Sequence, residues 1–248
     1  MGVQFHNGNV KPSLHAFMGT TLPGSRPGLG MEAPLGIFGD RAGDDTAVLD
    51  AMGEARLFDR DQSLFAEGDA ANAVYRVMDG LVRLYKLLPD GRRQIIGFLR
   101  GGDMMGLAAG ERFAYTAEAV VPSTVRRIPR ARVTALMDER PALARTLLAA
   151  MTAELMAAQE QMLLLGRKTA REKLATFLLA NDERAQDASG RIDLPMSRTD
   201  IADYLGLTTE TVSREFTKLK TARVIRLMEG GKVELVDRDT LSELAECA

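Results

Sequence analysis

The chain changes its hydrophobic rhythm twice along its length. Between about Ala47 and Arg127, short apolar runs alternate with glycine-bearing turns, as in Val74-Tyr75-Arg76-Val77-Met78-Asp79-Gly80 and Leu81-Val82-Arg83-Leu84-Tyr85-Lys86. Asp90-Gly91 then separates the second run from Gln94-Ile95-Ile96-Gly97-Phe98-Leu99. Runs of this length bounded by Gly and Asp-Gly predict repeated β-hairpins, and hence an antiparallel barrel or jelly roll. From about Arg130 to Leu165 the period becomes helical, and Leu148, Met151, Leu155, Ala158, Met162 and Leu165 follow one another at alternating spacings of three and four. That is the spacing of a coiled-coil seam. A single amphipathic helix packed on its own barrel would show a similar stripe, but the unbroken register favours a parallel dimer. Gly166 is expected to break this helix, Arg167 to Leu179 to form the next, and the polar stretch Asn181 to Gly190 to be a surface loop.

The second change of rhythm comes at Met196 to Leu219. Ser197 followed three residues later by Asp200 resembles a capping box, and Ile201, Ala202 and Leu205 share one face of the short helix it opens. Gly206 suits a left-handed stop, Leu207 is an apolar plug, and Thr208 can cap a second helix that turns Val212, Phe216 and Leu219 inward. Two helices joined by so short a turn form a helix-turn-helix.

On the opposite face of the second helix Glu210, Ser213, Arg214 and Thr217 recur at i, i+3, i+4 and i+7. An Arg fork donates twice to guanine O6 and N7, a carboxylate accepts from the cytosine amino group, and a Ser reaches a base edge or a thymine methyl. A carboxylate facing DNA is repelled by phosphates, so Glu210 among cations points to base reading rather than general attraction. It is also placed to brace Arg214 across one turn, the arrangement of an ordinary surface ion pair. Arg198, Thr199, Thr208, Thr211, Lys218 and Lys220 are the candidate phosphate contacts. Beyond them, Val224 to Leu227 and Lys232 to Val236 flank Glu229-Gly230-Gly231 as a hairpin, the wing of a winged helix, with Lys232 a candidate backbone contact or a solvated turn lysine.

Composition sets limits on this picture. The 248 residues, 46% hydrophobic and 27% charged, allow one large or two ordinary globular domains. A formal net charge of −2 excludes a uniformly basic nucleic-acid coat, so any DNA affinity must be local. One local patch is Arg167, Lys168, Arg171 and Lys173, opposed only by Glu172. No apolar stretch approaches the ~20 residues of a membrane span, and the start lacks the pattern of a signal peptide, so a soluble cytoplasmic protein is expected. The one cysteine, Cys247, excludes an intrachain disulfide and leaves two readings, an inert thiol or a bridge between two chains. The two histidines, His6 and His15, lie in a Gly/Pro-rich opening that reads as a flexible extension. No phosphate loop or metal-ligand spacing appears, so neither an enzyme nor a metal site is expected.

Barrel, long helix and winged helix in this order resemble the CRP/FNR superfamily of regulators over about residues 45 to 240. The marks are Glu67-Gly68-Asp69, Gly80-Leu81-Val82-Arg83-Leu84, Gly102-Asp103-Met104-Met105-Gly106-Leu107 and the helix-turn-helix itself. Glu210, Ser213 and Arg214 are similar to the FNR type of reader, which implies TTGA-like half-sites in an inverted repeat. The cyclic-AMP receptor type carries an Arg before the Glu, where this chain has Thr209. Its nucleotide pocket needs a Glu and an Arg-Ser pair; here those positions are Leu107 and Arg112-Phe113. The FNR cysteine cluster is absent from the opening segment. The chain therefore resembles the cysteine-poor FixK branch, a match extended by Phe113 to Val120. That branch implies control of microaerobic, nitrogen-fixation or denitrification genes, with RNA polymerase as partner. Two alternatives within the superfamily are a cyclic-nucleotide-responsive regulator and a haem-based gas or nitric-oxide sensor using His6 or His15.

The expected fold is α+β: an extension (1–44), a cyclic-nucleotide-binding-like antiparallel barrel (45–132), a dimerisation helix (133–166) and a C-terminal winged helix-turn-helix (167–248). The expected partners are a palindromic DNA operator, RNA polymerase and a second copy, with no membrane and no cofactor.

Overall fold

A computed structural model describes residues 43–108, 110–185 and 190–246. His6, His15 and Cys247, and the expected extension except its last two residues, lie outside these. A first helix, α1 (Gly43–Ala51), which the sequence pattern did not predict, leads into eight strands. These are β1 (Glu54–Phe58), β2 (Ser63–Phe65), β3 (Ala73–Asp79), β4 (Leu81–Leu87), β5 (Arg93–Arg100), β6 (Met104–Met105), β7 (Thr116–Ala119) and β8 (Ser123–Pro129). They form two antiparallel four-stranded sheets, ordered β1-β8-β3-β6 and β2-β7-β4-β5.

The expected antiparallel β-domain is present, but one turn differs from the hairpin pattern. The runs on either side of Gly80 do not pair with each other, since β3 and β4 lie in different sheets. Gly80 is a corner with φ +95°, and a Cβ there would lie 2.7 Å from Ser123 Cα, so only glycine fits. Asp90-Gly91 does close a hairpin, β4 pairing with β5 from Leu81↔Arg100 to Leu87↔Arg93.

The pleat divides each strand between two jobs. On β3, Ala73, Tyr75 and Val77 fill the space between the sheets, while Val74 turns outward beneath the following helices. On β4, Val82 and Leu84 point inward and Leu81 and Arg83 outward. The register shift opposite the Leu84/Tyr85 step leaves Ile95 and Phe98 of β5 on that same outer face. This outer face receives the C-terminal unit.

The single helical pattern after residue 130 resolves into α2 (Arg130–Glu139) and α3 (Pro141–Arg167). Pro141 has no N–H to continue α2 and disfavours the helical region for Arg140, which sits at φ −130°, ψ 88°. Gly166 does not break α3, which runs one residue past it. The expected loop from Asn181 is corrected over its first half: α4 (Ala170–Ala185) runs on to Ala185, with Asp182 buried and paired with Arg238 at 2.6 Å, and residues 186–189 lie outside the described residues.

After β9 (Arg191–Asp193) come α5 (Arg198–Leu205) and α6 (Thr209–Thr221), then β10 (Ile225–Leu227), β11 (Lys232–Leu235) and α7 (Arg238–Glu246). The wing hairpin pairs Ile225↔Leu235 to Leu227↔Val233, and β9 adds a third, unforeseen strand along β11. Helices α4, α5 and α6 share a core that includes Leu174, Leu178, Ile201, Leu205, Val212 and Phe216.

Gly206 stops α5 at φ 62°, ψ 43°, and a Cβ there would come 3.3 Å from Leu165 of α3. Gly206→Ala is expected to destabilise the fold by roughly 1–2 kcal/mol through its left-handed backbone. Urea unfolding should show this as a lowered midpoint at unchanged slope, and an unchanged midpoint would contradict it.

Candidate nucleic-acid interface

The two helices of the reader are capped as their sequences dictate. Ser197 Oγ accepts the Asp200 N–H at 3.0 Å, and Asp200 Oδ2 accepts the Ser197 N–H at 3.1 Å and its hydroxyl at 2.7 Å. The capping box is therefore reciprocal. Leu207 donates its N–H to the Ala202 carbonyl at 3.0 Å across the turn, and Thr208 Oγ1 accepts the Thr211 N–H at 3.2 Å. Val212, Phe216 and Leu219 are buried, which turns the opposite face of α6 to solvent.

Glu210, Ser213, Arg214 and Thr217 are all exposed on that face. The Glu210–Arg214 brace does not form. The Glu210 carboxyl is held below the usual carboxylate range by its own backbone N–H and then by the Thr208 hydroxyl. Arg214 Nη2 reaches instead to Thr211 Oγ1 at 3.4 Å. A carboxylate tied to the start of its own helix leaves the longer Arg214 projecting separately, so the two groups stand as independent donor and acceptor.

The candidate backbone contacts fall into two sets. Thr199, Thr208, Lys220 and Lys232 are exposed, and Thr211 is half-buried. Thr209 and Thr199 hydroxyls approach to 3.4 Å, joining the start of α6 to that of α5. Arg198 and Lys218 have internal partners. The Arg198 guanidinium lies 3.3 Å from the Phe216 ring centroid, and burial pulls its pKa down. Lys218 Nζ donates to Glu215 Oε1 at 2.6 Å.

The basic patch expected around residues 167 to 173 does not hold together. Lys173 Nζ is buried against the Leu205 carbonyl at 3.1 Å, and Lys168 Nζ donates to Thr176 Oγ1 at 2.9 Å and the Ala245 carbonyl at 2.8 Å. Arg171 Nε meets Glu215 Oε2 at 3.3 Å. Glu215, unforeseen in sequence, thus holds one cation from α4 and one from α6. The Lys218 pairing lies at the helical i,i+3 spacing and was open to view; Arg171 comes from a distant segment.

The seam residues remain on the surface of the chain. Leu148, Leu155 and Met162 are 64%, 60% and 64% exposed, and Met151 and Ala158 are exposed too. Leu165 is half-buried against the reader. The other side of α3, including Leu143, Leu147, Ala150 and Leu164, packs inside the chain, so the own-barrel alternative applies to a different stripe. Met156 and Leu163, which the seam did not include, widen the exposed apolar face.

Between the two sheets aromatic rings pack against one another. Phe113 stacks on Phe65 at 3.8 Å between centroids, with Tyr75 6.1 Å from Phe113 and Tyr115 5.8 Å from Phe65. The Tyr115 hydroxyl accepts the Gly106 N–H at 3.2 Å, and burial pushes its pKa up to about 12. Arg112 donates to the Gly68 carbonyl at 2.6 Å. Among the described residues no group of three or more His, Cys, Asp or Glu could hold a metal ion, and no helix is long and apolar enough to cross a membrane.

Residues 55–140 match the family model described as a cyclic nucleotide-binding domain, and 172–244 that of a Crp-like helix-turn-helix domain. The chain is similar to the nitrogen fixation regulation protein FixK of Bradyrhizobium diazoefficiens, 41% identical over 89% of this chain and 99% of that one. It is 40% identical to the transcriptional activatory protein AadR of Rhodopseudomonas palustris, over 85% and 89%. The solved structure of FixK2 from Bradyrhizobium japonicum superposes with a TM-score of 0.75 at 41% identity, covering 79% of this chain and 98% of that one.

Burial alone would raise the Glu215 carboxyl, but hydrogen bonds from Lys218 and Arg171 outweigh it and hold the group below its ordinary 4.5. A depressed folded pKa means that this stabilisation is present above the ordinary value and fades as pH falls through the lowered one. Glu215→Gln should therefore cost about 1–3 kcal/mol at neutral pH. Urea unfolding should show the gap between variant and wild type narrowing below pH 4.5. A gap independent of pH would remove Glu215 as the titrating anchor.

Proposed function

This chain belongs to the FixK-like branch of the CRP/FNR superfamily, and on that premise we propose that it acts as a homodimeric cytoplasmic activator reading a TTGA-like palindrome. It is a DNA-binding transcription regulator. Its proposed targets are microaerobic, nitrogen-fixation or denitrification genes, where it would engage RNA polymerase, and no reaction is assigned to it.

One observation carries the reader assignment: the exposed row of Glu210, Ser213 and Arg214 on a helix whose other face is fully buried. Arg214 reads guanine, Glu210 accepts from cytosine, and Ser213 meets a base edge or thymine methyl. Exposed Lys220 and Lys232, with Thr199, Thr208 and Thr211, supply backbone contacts; Arg198 and Lys218 join them through atoms not committed to Phe216 and Glu215. The dimer reading is supported by the uncovered apolar row of α3, which a second copy would bury as a seam and which would relate two readers by a two-fold axis. The stacked Phe65 and Phe113 rings support a barrel that holds no cyclic nucleotide.

Arg214→Ala should lose about 1–3 kcal/mol of discrimination per half-site. Titration against a TTGA palindrome and a scrambled duplex at fixed salt measures this, and an unchanged ratio would refute the base-reading role. Leu155→Glu, placing a charge in mid-seam, should leave a folded monomer by sedimentation. A variant that remained dimeric would move the interface elsewhere.

A further inference from the structure

The helix-turn-helix is bolted to the outer face of the β-domain by polar contacts additional to those that cap its helices. Asp200 Oδ1 accepts Arg83 Nη1 at 3.1 Å and Arg93 Nη2 at 2.7 Å. Arg93 Nε also donates to Asp203 Oδ2 at 2.8 Å. At the other end of α5, Gln94 Nε2 donates to the Asp203 carbonyl at 2.7 Å. Phe98 and Tyr204 rings lie 5.5 Å apart at this second end. Helix α5 is therefore held at both ends by one strand of the β-domain.

The bolted face and the reading face are different. Asp200, Ile201, Tyr204 and Leu205 are buried, while Thr199, Glu210, Ser213 and Arg214 stay open. The docked arrangement leaves the DNA-facing groups free. What the contact fixes is the orientation of the reader relative to the rest of the chain.

We infer that Arg93, through Asp200 and Asp203, is a positioning residue that sets the separation of the two half-sites the dimer accepts. The inference rests on the paired reading proposed above. Two recognition helices match a palindrome only at a fixed separation of about one helical turn, roughly 34 Å. A rigidly seated reader delivers its second half-site contact at high effective concentration at one spacing. A loosened reader spreads the same contact over many spacings.

The test uses full-length protein and duplexes carrying the half-site selected by the wild type itself, singly and as inverted repeats with spacers of graded length. This choice makes the outcome independent of whether that half-site is TTGA. Arg93→Gln should bind the single half-site within about twofold of wild type. It should lose about tenfold on the best-spaced repeat, with a flattened spacing profile. Asp203→Asn should shift the profile the same way, and the double variant should be little worse than Arg93→Gln alone, because the contact weakened by Asp203→Asn is one that Arg93→Gln already removes. Arg93→Lys should recover part of the selectivity. Equal losses on single and paired sites would mean that the contact only supports the reader's own fold, and the proposal would fall. A profile as sharp as that of the wild type would overturn it as well. A wild type indifferent to spacing would overturn the paired reading itself, a result distinct from either.

Discussion

The Asp200 carboxylate is the joint on which the architecture turns. One oxygen closes the capping box that starts α5, and the other accepts two guanidinium groups from the β-domain. A carboxylate this thoroughly buried would be costly without partners, and with one partner it would still be unsatisfied. Here both oxygens are occupied from two directions. The group that defines the reader locally also ties it to its scaffold, so the helix cannot leave the β-domain without exposing Arg83, itself buried beside Glu118 and Asp61.

The same economy governs the cations. A chain of net charge −2 must place positive charge selectively if it is to approach DNA. Several basic side chains near the reader are instead spent on structure: Lys173 on the end of α5, Lys168 on Thr176 and the Ala245 carbonyl, Arg171 on Glu215. In the proposed reader the exposed cations share the surface with Glu210, whose negative charge would discourage indiscriminate phosphate binding. On that proposal, selectivity would come from restraint as much as from attraction.

What could be read from sequence was what is decided within a few residues or one helical period. The Ser197–Asp200 box, the Gly206 stop, the Thr208 cap and the buried Val212–Phe216–Leu219 row are each local. Local pattern fails where distant chain segments decide. Gly80 looked like a hairpin turn because local chemistry favours a turn, but Ser123 of another strand makes it a corner between sheets. Asn181 to Ala185 looked like a loop because polar residues suggest one, yet Arg238 keeps Asp182 buried in helix. Lys168, Arg171 and Lys173 formed a patch only in the one-dimensional chain. The candidate base-reading residues were legible because an exposed helix face depends on its own period alone, whereas Arg83 and Arg93 acquire their role only once two remote segments meet.

Helix α3 connects the remaining parts. Gln161 faces inward and donates to the Tyr204 carbonyl of α5 at 3.1 Å, and Leu164 joins the core around the reader. Met162, the next residue after Gln161, points outward into the exposed apolar row. Adjacent positions on an α-helix lie about 100° apart. A rotation or slide of α3 large enough to repack its outer row must therefore also move the group that holds the last turn of α5. In the proposed dimer, the pairing surface and the seat of the reader would then respond together. A change in one would reach the other through a single rigid element.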